Sequence, residues 1–100
     1  MHTNDQLKEL LKSVIDPELG VNIVDLGLVY NIEQSENGEE VIVTMTLTTP
    51  GCPLHDSIVG GVKSVLKSAG INLVTVDLVW APAWSPDKMT DAARKQLGRL

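Results

Sequence analysis

Apolar and polar positions follow two periods along this chain. From Thr3 to Ile15, Leu7, Leu10, Leu11, Val14 and Ile15 recur at the i, i+3, i+4, i+7, i+8 spacing of one buried helical stripe. Thr3 and Gln6 have capping-box spacing at its start. Pro17 is expected to close the helix, because the residue before a proline is pushed out of the α region. Residues 16–27, DPELGVNIVDLG, fit neither period and predict an ordered loop.

The period then changes to two. Leu28 to Glu33 predicts a short strand and Glu40 to Thr49 a longer one. In the longer one Val41, Val43, Met45 and Leu47 fall on one face, and Ile42, Thr44, Thr46 and Thr48 on the other. Asn37-Gly38 between them is a strong turn signal, so the two strands form an antiparallel hairpin with one apolar and one more polar face.

Pro50-Gly51-Cys52-Pro53 opens a second helix. Proline is favoured at the first helical position, which makes Cys52 the N-cap. Leu54, Ile58, Val62, Val65, Leu66 and Ala69 form its stripe, and Gly70 is the stop. Gly60 and Gly61 inside it each cost about 1 kcal/mol against alanine, so close packing is the expected compensation. Ile71 to Trp80 predicts a third strand. A linker, APAWSP, leads to a last helix from Ser85-Pro86 to about Leu97, with Met89, Ala93, Gln96, Leu97 and Leu100 along one side. The expected fold is α+β: a single-domain two-layer sandwich over residues 1–100, in the order α-β-β-α-β-α. Its three-stranded mixed sheet has helices on one face. The crossover through the second helix makes the last two strands parallel and right-handed.

Composition narrows the function. The 100 residues are 43% apolar, ordinary globular content, so disorder is excluded. The formal charge is −5, with nine acids against two lysines in residues 1–40. With no Lys/Arg cluster and only three aromatic residues, this composition argues against nucleic-acid binding. No apolar run approaches the ~18 residues of a membrane span. The polar, helix-patterned N-terminus leads to the expectation of a first helix and not of a signal peptide. A single cysteine excludes an internal disulfide, and a reducing cytoplasm is the expected compartment.

Cys52 is the sharpest chemical feature. At a helix N-terminus a thiol faces free backbone N–H groups, which favour the thiolate, the nucleophilic and metal-ligating form. His55 lies in the same turn; Asp56 there opposes the thiolate. The alternative is a small buried hydrophobe at a loop-to-helix join. Asp16, Glu18 and Asp25 cluster in the first loop, where carboxylates either do acid–base or metal work or cap turns. Trp80 and Trp84 flank the link and are expected to pack.

Three blocks, DPELGVNIVDLGLVY, VTMTLTTPGCPLHDSI and VDLVWAPAWSPDKMT, resemble the SufT/PaaD-like family of small iron–sulfur cluster assembly (metal-sulfur cluster biosynthetic) proteins. The resemblance covers about residues 5–98 and implies an α+β domain acting in iron–sulfur protein maturation. It implies Cys52 as the metal ligand, and matches the family's acids to Asp16, Glu18 and Asp25. Two features depart from the pattern. Ala81-Pro82-Ala83 stands where the family often has a polar residue and two prolines, and the extra cysteines of the phenylacetate-oxygenase branch are absent.

The resemblance points to an accessory factor that carries a transient iron–sulfur cluster or helps transfer one to apoproteins. Its partners would be other assembly proteins and apoprotein clients. Clusters usually take four protein ligands. One chain has one thiol, so the rest must come from a second subunit of a homodimer, a client or a small thiol. Glu18, Asp25, Thr49 or His55 would shape the pocket. Two other readings stay open. One is a client-docking adaptor without metal chemistry. The other is a thiol enzyme using Cys52 as nucleophile and His55 as base.

Overall fold

The computed structural model describes residues 3–17, 19–47 and 55–97. Helix α1 (Asn4–Leu11) begins as expected. The Thr3 hydroxyl accepts from the Gln6 N–H at 3.1 Å, and the Gln6 side chain accepts from the Thr3 N–H at 2.9 Å. It ends earlier than the pattern predicts, at Leu11 and not near Pro17. The Ser13 hydroxyl donates to the Leu10 carbonyl at 2.8 Å, and Val14 to Leu11 continues as a tight turn. The chain then extends into β1 (Ile15–Asp16), which pairs antiparallel with β2 (Val21–Asn22). In extended chain only alternate residues face inward. Val14 and Asp16 are therefore buried and Ile15 is 49% exposed, so Ile15 does not belong to the helical stripe.

The expected loop over 16–27 thus carries a small hairpin of its own, followed by a single helical turn from Asn22 to Leu26. That turn ends in a Schellman motif: Leu28 N–H donates to the Ile23 carbonyl and Gly27 N–H to Val24, both at 3.0 Å. Gly27 sits at φ +79°, which favours glycine, and an added Cβ would run into the Lys88 backbone carbonyl.

The main sheet contains β3 (Val29–Gln34), β4 (Glu40–Met45) and β5 (Leu73–Leu78) in that order. β3 and β4 form the expected antiparallel hairpin, and β4 and β5 are parallel. A register shift between Val29 and Asn31 brings Val29 opposite Met45 and Ile32 opposite Val43, so both lie on the inner face. Val41, Val43 and Met45 are fully buried there, in register with Val74, Val76 and Leu78 of β5. The other face carries Glu33, Ile42, Thr44, Thr75 and Asp77. Thr46 was expected there too, but it lies just beyond the strand and is buried.

Helix α2 (His55–Ser68) covers the inner face through Ile58, Val62 and Leu66, against α1 and β5. Gly70 at φ +98° terminates it. Of the two helical glycines only Gly61 packs closely: a Cβ there would stand 3.1 Å from Val14 Cγ1, whereas Gly60 faces open space. Nothing in the structure explains Gly60. The last helix is split. Pro86–Lys88 forms a single 3₁₀ turn, Met89 is extended (φ −70°, ψ 145°), and α3 (Asp91–Leu97) starts afresh. The break lets Thr90 N–H donate to the Asp25 carbonyl at 2.8 Å, while the Thr90 hydroxyl accepts from Ala93 N–H. Ala93 is buried, Gln96 stays exposed, and Leu100 lies outside the described residues.

Candidate functional site

Of the residues singled out in the sequence, Glu18, Thr49 and Cys52 lie outside the described residues, together with the expected cap at Cys52-Pro53. His55 is the first residue of α2. The chain from 48 to 54 therefore connects the end of β4 to the start of α2. Met45 of β4 and Leu78 of β5 mark the carboxyl end of the parallel pair, the end where open α/β sheets bind ligands. Thr46 stands at that end too. Its hydroxyl is buried and has no hydrogen-bond partner among the described residues, and a buried hydroxyl without a partner costs about 1–3 kcal/mol. The sequence reading gave Thr46 no role beyond a polar face, because alternation continued past the true end of β4.

The acidic loop can be followed atom by atom. Asp16 is buried, and its Oδ1 accepts from Leu19 N–H at 3.2 Å while its carbonyl accepts from Gly20 N–H at 2.7 Å. Asn22 and Asp25 bind each other reciprocally. The Asp25 N–H donates to Asn22 Oδ1, and the Asn22 amide donates to Asp25 Oδ2, both at 2.8 Å. The first bond is the N-cap half of a capping box; the second joins the two side chains, where a capping box would use the Asn22 backbone N–H. Asn22 is the partner that the sequence reading missed; its N-x-x-D spacing ahead of Gly27 was the signal. The two carboxylates are thus both engaged in building turns.

The C-terminal segment closes over this loop. Trp84 donates its indole N–H to the Leu26 carbonyl at 2.7 Å, and the Gln96 amide donates to the Gly20 carbonyl at 3.1 Å. Tyr30 donates its hydroxyl to the Pro82 carbonyl at 2.8 Å, and the Lys88 ammonium sits 5.2 Å from the Tyr30 ring centroid. Trp84 therefore packs as expected, while Trp80 is 44% exposed. The hydrogen bond from Lys12 to Glu9, and secondarily the charges of Glu9 and Asp25, raise the Lys12 pKa above its ordinary value. Among the described residues no three His, Cys, Asp or Glu side chains come together as a metal-binding group. No helix there is long and apolar enough to cross a membrane.

Residues 4–78 match the iron-sulfur cluster assembly protein family. Across the whole chain it is 41% identical to an Fe-S protein maturation auxiliary factor of Porphyromonas gingivalis, covering 95% of that protein. It is 48% identical to the Fe-S protein maturation auxiliary factor YitW of Bacillus subtilis, over 88% of this chain and 86% of that one. A solved structure from Bacillus anthracis, described as a domain of unknown function, DUF59, superposes with a TM-score of 0.89. The two are 45% identical, over 94% of this chain and 90% of that one.

Proposed function

The chain belongs to the iron-sulfur cluster assembly protein family, and on that premise we propose that it is an accessory factor in iron–sulfur protein maturation. It carries clusters, or helps hand them to apoproteins, through the Cys52 thiolate, and it does so without enzymatic turnover. The observation that carries this reading is the near full-length similarity to maturation auxiliary factors, in a chain whose only cysteine falls between β4 and α2. The cluster is cargo. Thiolates are its natural ligands, and it commonly takes four. A single chain supplies Cys52 alone, so the remaining ligands come from a second chain, a client or a small thiol. Glu18, Thr49 and His55 flank the ligand, and Asp16 and Asp25 contribute by fixing the shape of the loop. The partners are the assembly machinery and its apoprotein clients, and the compartment is the cytoplasm.

Anaerobic reconstitution with ferrous iron, sulfide and glutathione tests this. The native chain should gain charge-transfer absorbance and bound iron, at about one cluster per two chains, and lose both when the thiol is removed. Cys52→Ser should gain neither. Equal iron binding by Cys52→Ser, or a thiol-free monomer that keeps a full cluster, would contradict the reading.

A further inference from the structure

β5 is hydrogen-bonded to β4 on one side, and among the described residues no strand pairs with its other side. Leu73 N–H donates to the Glu39 carbonyl and Val79 N–H to Met45, so the odd-numbered residues aim their backbone at β4. In a parallel ladder the alternate residues then aim both N–H and C=O the other way. Val74, Val76 and Leu78 thus present a row of donors and acceptors at the free edge. Edge strands are ordinarily blunted by lysine, proline, a bulge or a covering element. LVTVDL has no lysine, no proline and one charge, Asp77, and its pairing with β4 runs without a register shift. Its inner-face residues Val76 and Leu78 stay only partly buried although their neighbours in β4 are fully buried, and Leu73 at one end is 53% exposed.

We infer that this edge pairs with β5 of a second copy of the chain, antiparallel about a two-fold axis at Val76, to make one continuous sheet. The outward groups select the register. In an antiparallel ladder, residues that exchange both bonds must face each other, so the pairs must come from Val74, Val76 and Leu78. Centring on Val76 joins Val76 to its own copy and Val74 to the partner's Leu78 on both sides of the axis. All three residues are then satisfied in each chain, and apolar meets apolar on the inner face. On the outer face Thr75 stands opposite the partner's Asp77. Shifting the axis to Thr75 leaves Leu78 without a partner in this set and sets Leu73 against Asp77. Shifting it to Asp77 leaves Val74 unpaired and sets the two carboxylates against each other, a destabilising arrangement. An isologous contact of this kind closes at two copies.

This pairing does not depend on cluster binding, and its test uses the cluster-free chain. Sedimentation equilibrium of the native protein at micromolar concentration should give the mass of two chains. Val76→Pro removes an outward N–H and leaves the β4–β5 ladder whole, so it should weaken association at least tenfold and sediment as a monomer with an unchanged circular dichroism spectrum. Cross-linking supplies the register, and decides the matter even if that variant fails to fold. In a Cys52→Ser background, oxidising an equal mixture of Thr75→Cys and Asp77→Cys chains should give a disulfide-linked dimer, while neither variant alone should. A monomeric native chain, or a dimer in which Thr75→Cys or Asp77→Cys cross-links to itself, would overturn the proposal.

Discussion

β3 and β5 each have one neighbour in the main sheet, but their outer sides are finished differently. β3 is guarded. Ile32 turns its carbonyl outward, where the Asn4 amide of α1 donates to it at 3.2 Å and Gln34 in turn donates to Asn4 at 2.9 Å. A bulge interrupts its upper half, and the C-terminal segment binds Tyr30 beyond it. β5 has a regular register, one charge and partly buried apolar residues. The contrast teaches where the described residues satisfy the backbone and where they do not: the guarded edge belongs to the monomer, and the β5 edge, with no partner among the described residues, is free to add a strand.

The guarded side depends most on the acidic loop and the segment docked against it. The largest expected effect is therefore Gly27→Ala, which forces a left-handed φ on alanine and drives its Cβ into the Lys88 carbonyl. Denaturant unfolding should show a loss above about 2 kcal/mol. Gly60→Ala, on an exposed helical position facing open space, should instead gain up to about 1 kcal/mol. Equal effects at the two sites would mean that the C-terminal segment is not docked as described.

Next in size come the side chains that finish the loop and the edge. Asn22→Ala removes the reciprocal bonds to Asp25 and should cost about 1–2 kcal/mol. Asn4→Ala uncovers the Ile32 carbonyl at a more exposed position and should cost about 0.5–1.5 kcal/mol. The comparison sharpens if Asn4→Ala also raises self-association at the β3 side, read as species larger than a dimer in sedimentation velocity.

The smallest effect is alkaline. Burial raises the Tyr30 phenol above its ordinary value of 10.0, and the Glu9 hydrogen bond raises Lys12 above 10.5. In both cases the fold favours the protonated form. Their contributions are therefore complete below the unfolded pKa values and are lost as pH rises through the folded ones. Stability should decline above about pH 10, and Tyr30→Phe should remove the tyrosine's share of the slope. The chain has one tyrosine, so tyrosinate absorbance reports the group directly; a midpoint at or below the free value would contradict its burial.

Much of this was legible in the sequence where one period ran unbroken. The Thr3–Gln6 box, the Asn37-Gly38 hairpin, the Val41–Met45 face and the parallel crossover through α2 all follow from spacing, and each is found. The readings failed where two apolar residues fit both periods. Val14 and Ile15 suit a helix as well as an extended chain, and the Ser13 hydroxyl and the pairing with Asn22 decide for extension. The last helix broke for a tertiary reason, since Thr90 N–H is held by the Asp25 carbonyl far away in sequence. In the first loop, the acids could be recognised from residue type, but not the bonds that join Asp25 to Asn22. The bare edge at β5 was hidden as well, because strand order is not written in alternation.

The functional claim rests on Cys52. The direct measurement is client maturation in cells whose only copy of the protein is Cys52→Ser, set beside the thermal unfolding of that variant. Serine matches cysteine closely in size, so unfolding should shift by less than about 1 kcal/mol, while the specific activity of an iron–sulfur client enzyme should fall to the level of cells lacking the protein. Full client activity supported by the folded Cys52→Ser protein would contradict the thiolate's role in handing on clusters.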